Sequence, residues 1–117
     1  MSRRIKRIEH LLQEKISEII LNDVSDPRLE FITITDVSVS PDIKHATVYY
    51  SVIGDQDALE DVAEAFEHAT GFIQRHLTDI VYLQYTPKIL FKYDDTLEKA
   101  QQMEELIDSV QHEDPEE

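Results

Sequence analysis

The stretch FEHATGFIQRHL, residues 66–77, contains Gly71, one of only two glycines in a chain of 117 residues. Apolar residues recur at helical spacing on both sides of this glycine, at Phe66 before it and at Ile73 and Leu77 after it. A glycine in a helix interior costs roughly 1 kcal/mol relative to alanine, which indicates a special backbone geometry at this position. The pattern therefore predicts two helices that meet at a sharp bend, where the glycine permits a positive φ or a close approach.

Two strands precede this helical pair. The stretch FITITDVSVS, residues 31–40, alternates apolar and polar positions, slips by one residue at Asp36 and then resumes, which predicts a bulge within one strand. A Pro-Asp pair then favours a turn, and the next stretch alternates cleanly from Ala46 to Val52. Together these two strands are predicted to form a hairpin.

Further helices flank these elements, and a third strand follows them. Apolar residues at helical spacing predict an amphipathic helix from about residue 3 to 22. After Pro87, the stretch KILFKY predicts a short third strand, and a last helix begins near Asp95. The buried stripe predicted for that last helix consists of Leu97, Ala100, Met103, Ile107 and Val110.

These elements predict an α+β domain in the order helix, strand, strand, helix, bend, helix, strand, helix. Its three strands form one sheet, and its helices cover one face of that sheet. Residues 1–110 are expected to form a single domain, because a chain of this length can bury a sufficient core. Residues 111–117 are rich in acidic side chains and lack apolar ones, which predicts a disordered acidic tail.

The composition narrows the classes of protein to which this chain can belong. It carries 25 acidic and 11 basic residues, for a formal net charge of −14. It contains no cysteine, which excludes a disulfide framework and thiolate metal sites. No apolar run approaches the ~20 residues that span a bilayer, and the charged first residues lack a signal-peptide core. The protein is therefore expected to remain in the cytoplasm.

Basic residues concentrate near the amino terminus in spite of the acidic total. Arg3, Arg4, Lys6 and Arg7 lie at the start of the first predicted helix, where cations oppose the helix macrodipole. Their position does not stabilise the helix, so contacts with phosphate groups compete with a general role in solubility as its explanation. Because salt screens charges beyond about 8 Å, a local basic surface can act on an acidic body.

Other clusters of polar residues favour structural roles. Glu64 and His68 share one helical face, but no cluster supplies the four ligands that a structural metal site requires. Asp94 and Asp95 are adjacent carboxylates, and in a turn from strand to helix such residues are more typical of caps than of a catalytic pair. The sequence therefore predicts no enzyme, no metal site and no cofactor.

Five short segments carry a resemblance to a known family. They are SDPR (25–28), ITITDV (32–37), SPD with ATVY (40–42 and 46–49), ATGFI (69–73), and Pro87 with Phe91 and Asp94. In this order they resemble the ribosome-binding factor A family of bacterial assembly factors for the small ribosomal subunit. The resemblance covers residues 3–110 without a break.

The resemblance implies a type II KH-like fold. In the family, an Ala-x-Gly kink, here Ala69, Thr70 and Gly71, replaces the GxxG loop with which other KH domains clamp single-stranded RNA. The resemblance further implies that the chain binds the free small (30S) ribosomal subunit and its 16S rRNA as a monomer. It implies help in late maturation and processing of 16S rRNA, especially in the cold, without catalysis or cofactor.

Phosphate contacts are assigned on this basis to Arg3, Arg4, Lys6, Arg7, Arg28, Lys44 and Arg75. The chain departs from the family pattern at Tyr82 and Gln84, where arginines are common, and at Glu30, where glycine is common. One alternative is a protein–protein adaptor that uses acidic helices, residues 57–67 and 98–108, to bind a basic ribosomal protein. A second alternative is a small hydrolase that uses Asp94 or Glu64.

Overall fold

The computed structural model describes residues 2–81 and 86–112. Three helices and three strands follow one another as α1 (Arg3–Asn22), β1 (Ile32–Val39), β2 (His45–Val52), α2 (Gln56–Ile80), β3 (Lys88–Tyr93) and α3 (Thr96–His112), with a short 3-10 turn at Pro27–Leu29. Tyr82 and Gln84 lie outside the described residues. Because α3 extends to His112, the predicted acidic tail overlaps the end of this helix, and residues 113–117 are outside the description.

The three strands form one sheet in the order β1-β2-β3. β1 and β2 pair antiparallel from Ile32 opposite Val52 to Val39 opposite Ala46, which confirms the predicted hairpin. The register of this pair shifts between Ile34 and Asp36, where the alternation of apolar residues slips, which confirms the predicted bulge. β3 pairs with β2 in parallel, with α2 as the connection between them.

The core lies between α1, α2 and one face of the sheet. Leu12 and Ile16 of α1 and Ile73 and Leu77 of α2 are fully buried. They pack against alternate residues of the strands, such as Val48 at the centre of β2, in one continuous apolar cluster. Each such side chain contributes roughly 1.5–3 kcal/mol by burial, so the stripes of α1 and α2 fix both helices on the sheet.

α2 is one continuous helix through Gly71, which corrects the predicted pair of helices and reduces the four predicted helices to three. Positive φ values among the described residues occur at Ile43 and Gly54, and Gly71 is not among them. Ala69 and Ile73 on either side are buried against the core, whereas Gly71 faces solvent. Apolar packing along the whole helix outweighs the glycine penalty of roughly 1 kcal/mol.

The hydroxyl of Thr70 marks the same point of α2. It donates a hydrogen bond to the carbonyl oxygen of Phe66, four residues earlier in the helix. Such bonds back to the preceding turn are often associated with helix bending. The Ala-x-Gly segment is therefore internal to α2, and the predicted kink there is at most a bend within one helix rather than a junction between two.

α3 differs from the other helices because its apolar stripe faces solvent. Leu97, Met103 and Ile107 are 72%, 58% and 48% exposed, which corrects the prediction of a buried stripe. The side chain of Val110 lies outside the described part of the structure. α1 and α2 already cover the helical side of the three strands, so no sheet surface remains there for a third helix.

Candidate nucleic-acid interface

One end of the sheet gathers cationic side chains from separate parts of the chain. β2 and β3 both begin there, and the backbone N–H of Lys88 donates to the carbonyl of Lys44 at 2.9 Å. His45 pairs with Lys88 across the two strands, and both side chains are exposed. The parallel pairing of β2 and β3 therefore brings two lysines together that are far apart in sequence.

α1 begins at the same end. A carboxylate oxygen of Glu9 accepts a hydrogen bond of 2.9 Å from the backbone N–H of Val39, the last residue of β1. The helix starts two turns before Glu9, capped by the hydroxyl of Ser2, which accepts from the N–H of Arg4 at 3.2 Å. The exposed cations of this first part of α1 are Arg3, Arg4, Lys6 and Arg7.

The second half of α2 reaches this end as well. The side-chain amide of Gln74 donates to the carbonyl of Pro87 at 3.0 Å and accepts from the N–H of Ile89 at 2.8 Å. These two bonds tie α2 to the first residues of β3. Arg75 follows Gln74 directly and is exposed, and its neighbour His76 lies 3.4 Å from Asp23, the residue after α1. Arg75 is therefore near the end of α1, and the length of the helix, roughly 30 Å, separates it from the cations of the first turns.

We call this surface the basic end. It consists of Arg3, Arg4, Lys6, Arg7, Lys44 and Lys88. Within residues 2–81 and 86–112, none of these cations forms an ion pair with a carboxylate. Their charges are therefore available to an anionic partner.

The turn between β1 and β2 supports this arrangement. The carboxylate of Asp42 accepts hydrogen bonds from the hydroxyl of Ser40 at 2.7 Å and from the N–H of Lys44 at 3.1 Å. The bond from Ser40, followed by that from Lys44, holds the pKa of Asp42 below its ordinary value. The one acid of this turn is thus engaged with the turn itself, and the Lys44 side chain stays exposed.

Arg28, like Arg75, is a predicted RNA contact that the fold separates from the basic end. Its guanidinium group donates to both carboxylate oxygens of Asp26, at 3.0 and 2.8 Å, and to Glu64 at 2.8 Å. The hydrogen bond to Asp26 is the main cause that raises the pKa of Arg28 and lowers that of Asp26. Arg28 therefore joins the 3-10 turn to α2, and its position is explained by this structural role.

Lys88 is a member of the basic end that the sequence analysis missed. As the first residue of a predicted strand it carried no sign of function, because its neighbours in sequence are apolar. Only the parallel register of β2 and β3 places it opposite His45 and beside Lys44. The sequence indicates that Lys88 lies beside Lys44 only once α2 is known to connect β2 to a parallel β3.

The opposite end of the domain is acidic. α2 begins there with Asp57, Glu60 and Asp61, and its cap Asp55 accepts from the N–H of Ala58. Carboxylates at a helix start are favoured by the macrodipole, so these acids stabilise α2. The basic end and the start of α2 therefore carry opposite charges and lie at opposite ends of the strands.

The alternative catalytic residues lie in structural hydrogen bonds. Asp94 accepts from the N–H of Thr96 at 3.0 Å and from the hydroxyl of Thr35 at 2.7 Å. Hydrogen bonding to the side chain of Thr96, followed by that of Thr35, lowers the pKa of Asp94. This arrangement confirms the interpretation of Asp94 as a cap at the start of α3. Glu64 is engaged with Arg28. Among the described residues, no group of three or more metal-ligating side chains converges.

Comparison with known proteins identifies the family. The model of the family described as ribosome-binding factor A matches residues 4–107. A protein of that name from Halothermothrix orenii is 46% identical, over 94% of this chain and 90% of its own. The chain belongs to the ribosome-binding factor A family. A second family member, from Geobacter sulfurreducens, is 35% identical over 97% of this chain and 96% of its own.

Solved structures of ribosome-binding factor A share the fold. The solution structure of a putative member from Thermotoga maritima has a TM-score of 0.68 and 29% identity, covering 79% of this chain and 88% of its own. The crystal structure of the Thermus thermophilus protein also has a TM-score of 0.68, at 24% identity, covering 76% of this chain and 93% of its own. The KH-like α+β fold expected for a ribosome-binding factor A is thereby confirmed.

One further comparison concerns the Thermus protein in a complex. Its homology model, as fitted into a cryo-EM map of a 30S–ribosome-binding factor A complex, has a TM-score of 0.63 and 24% identity to this chain. It covers 75% of this chain and 92% of its own. Among the residues that the structure describes, no helix has the length and hydropathy needed to cross a membrane.

Proposed function

We propose that this chain is an assembly factor that binds the free 30S ribosomal subunit and contacts its 16S rRNA through the basic end. The observation that carries the proposal is the convergence of exposed cations from the first turns of α1, the β1–β2 turn and β3 on one surface. Membership of the family and the 30S complex of the Thermus relative support the same partner. The factor acts in the cytoplasm as a monomer, assists late maturation and processing of 16S rRNA, particularly in the cold, and performs no catalysis.

The chemistry of the basic end favours recognition of RNA by shape and phosphates. Lysine and arginine side chains at the surface contact phosphate oxygens, which fix position but carry no sequence information. The segment around Gly71 is helical, so it cannot form the loop with which other KH domains grip four nucleotides. A folded region of rRNA, whose phosphates lie at fixed positions, therefore fits this surface better than a free single strand.

Salt dependence tests the basic end directly. Each phosphate contact releases counterions and contributes about 0.7–0.9 to the slope of log K against log salt concentration. Replacing Arg3, Arg4 and Arg7 by glutamine should therefore reduce the slope by about 2–3 for binding to free 30S subunits. A matched control replaces Lys15, Lys92 and Lys99, which lie away from the basic end, by the same residue.

The two triple variants remove the same net charge. If the basic end contacts rRNA, sedimentation with 30S subunits at several salt concentrations shows a weaker and less salt-dependent complex for the variant of Arg3, Arg4 and Arg7 only. Equal effects of both variants would show that total charge, not this surface, determines binding. In cells that lack their own ribosome-binding factor A, the wild-type chain should restore processing of 16S rRNA at low temperature. The variant of Arg3, Arg4 and Arg7 should not.

Protein-free 16S rRNA separates this function from the adaptor alternative. An adaptor that binds a ribosomal protein through residues 57–67 or 98–108 has no affinity for naked RNA. The assembly factor proposed above binds folded 16S rRNA with a salt dependence similar to that for the subunit. Absence of binding to the naked RNA, together with binding to subunits, would favour the adaptor.

A further inference from the structure

A groove lies at the end of α1, away from the first turns of this helix that belong to the basic end. It lies between the end of α1, the 3-10 turn and the start of β1, with a volume of about 580 Å³. Most of its lining is apolar and comes from Ile20, Leu21, Val24, Leu29, Ile32 and Ile34. A concave apolar surface of this size accepts one or two bulky side chains of a partner.

Exposed apolar side chains adjoin this groove. Leu21 in its wall is 82% exposed, and Phe31, next in sequence to two lining residues, is 65% exposed. The carbonyl of Phe31 accepts from the N–H of Ile53, which is itself 82% exposed. Single exposed apolar residues are common, but several beside one apolar groove are typical of an interaction site.

The groove also borders an open strand edge. β1 pairs with β2 on one side only, and α1 covers part of its other edge. The side-chain amide of Gln13 donates to the carbonyl of Ile34 at 3.2 Å, and Glu9 accepts from the N–H of Val39. Ile32 has the same orientation as Ile34 in the ladder, so its N–H and carbonyl point towards the groove. An extended segment can therefore pair with β1 at this point.

The charge around the groove specifies the partner further. Glu30 lines it and is exposed, Glu18 lies on the second half of α1, and Asp23 follows the end of α1, 3.4 Å from His76. The basic side chains of this region are already held by acids, Lys15 by Glu14 and Glu18 and Arg28 by Asp26 and Glu64. The surroundings of the groove are thus negative, which excludes RNA and favours a cationic segment.

We propose that this groove binds an extended, cationic protein segment. One bulky apolar side chain of that segment enters the groove beside Leu21 and Val24, and its backbone pairs with Ile32. Its lysine or arginine side chains lie near Glu30. Because the groove and the basic end are at different places, the chain can bind RNA and a basic protein tail at the same time.

A defined probe tests this site in the full chain. The probe is a fluorescent peptide of sequence KVKLKVK, and its matched controls are EVELEVE, with reversed charge, and KSKSKSK, without apolar side chains. We expect only the first peptide to bind, and the shifted amide resonances in the protein to lie within residues 17–34. Shifts concentrated at the start of α2 or on α3 would overturn the proposal, because they would show attraction to carboxylates in general.

Two leucine variants provide the matched comparison. Leu21→Ser should weaken the peptide complex about tenfold, since it removes apolar surface from the groove wall. Leu90→Ser, on the opposite edge strand and 62% exposed, should leave affinity unchanged. Both side chains are exposed, so both variants should fold. Equal affinity of the two variants would refute the site, and a change of sedimentation coefficient in Leu21→Ser alone would assign the groove to a second copy of the chain instead.

Discussion

Replacing Gly71 by alanine should stabilise the protein. The residue lies in the interior of α2, faces solvent and lacks a positive φ. A Cβ atom added there would meet a guanidinium nitrogen of Arg75 at 3.5 Å, which is ordinary van der Waals contact. Alanine restricts the unfolded chain and favours the helix, so the free energy of unfolding should rise by about 0.5–1 kcal/mol.

Gly54→Ala is the matched control with the opposite expected sign. Gly54 has a φ of +151°, and an added Cβ would lie 2.6 Å from the Cβ of Ala58. Urea unfolding should therefore give a higher midpoint for the Gly71 variant and a lower one for the Gly54 variant, with equal m-values. In thermal unfolding the Gly71 variant should gain roughly 2–5 °C. A less stable Gly71→Ala protein would refute regular helical geometry in α2 at this residue.

Three further predictions concern the packing and the ion pairs. Phe66→Ala should cost about 3–5 kcal/mol in urea unfolding, because Phe66 is buried and its ring is 4.2 Å from that of Phe91; Phe66→Leu should cost much less. Gln74→Ala should cost about 1–3 kcal/mol and speed hydrogen exchange in β3, whereas unchanged exchange would contradict its role as a tie to that strand. The lowered pKa of Asp26 stabilises the fold above its ordinary value of 3.8, and this contribution disappears as the pH falls through the lowered folded value. The stability difference between the wild type and Asp26→Asn should therefore be constant at neutral pH and shrink below about pH 4, and a difference independent of pH would contradict it.

Local patterns in the sequence were sufficient to predict the hairpin and its bulge. Ile34 and Val37 both lie on the core side of β1, although they are three residues apart and side chains alternate with a period of two. One extra residue between them, a bulge, is needed to bring both to the same side. Likewise, the stripe of α1 is confirmed, because an amphipathic face of that length has few ways to avoid burial.

Predictions that depended on distant partners were wrong or incomplete. The penalty at Gly71 is local and small, whereas burial of Ala69 and Ile73 on the sheet depends on the whole fold. The spacing of apolar residues in α3 shows which face of the helix is apolar. It does not show whether part of the sheet is left uncovered for that face to pack against. The sequence also does not indicate that Arg28 is paired, because its partner Glu64 lies 36 residues later.

The start of α3 has a local anchor that periodicity does not indicate. The hydroxyl of Tyr93 donates to Glu98 at 2.5 Å, and this bond is the main reason that the pKa of Tyr93 is raised to about 12. Side chains at the end of β3 thus fix the direction in which α3 leaves the sheet. The exposed apolar stripe of α3 therefore begins directly after a point at which the helix is tied to β3.

The cations of the basic end and the carboxylates at the start of α2 give the domain an uneven distribution of charge, which affects how it would approach the rRNA of the proposed function. In the field of a polyanion such as rRNA, a dipole experiences a torque that turns its positive end forward before any contact is made. Collisions in another orientation bring carboxylates against phosphates and end quickly. An acidic protein can in this way associate rapidly with RNA and yet leave few misoriented complexes, because the same charges that guide the correct encounter shorten the life of the others.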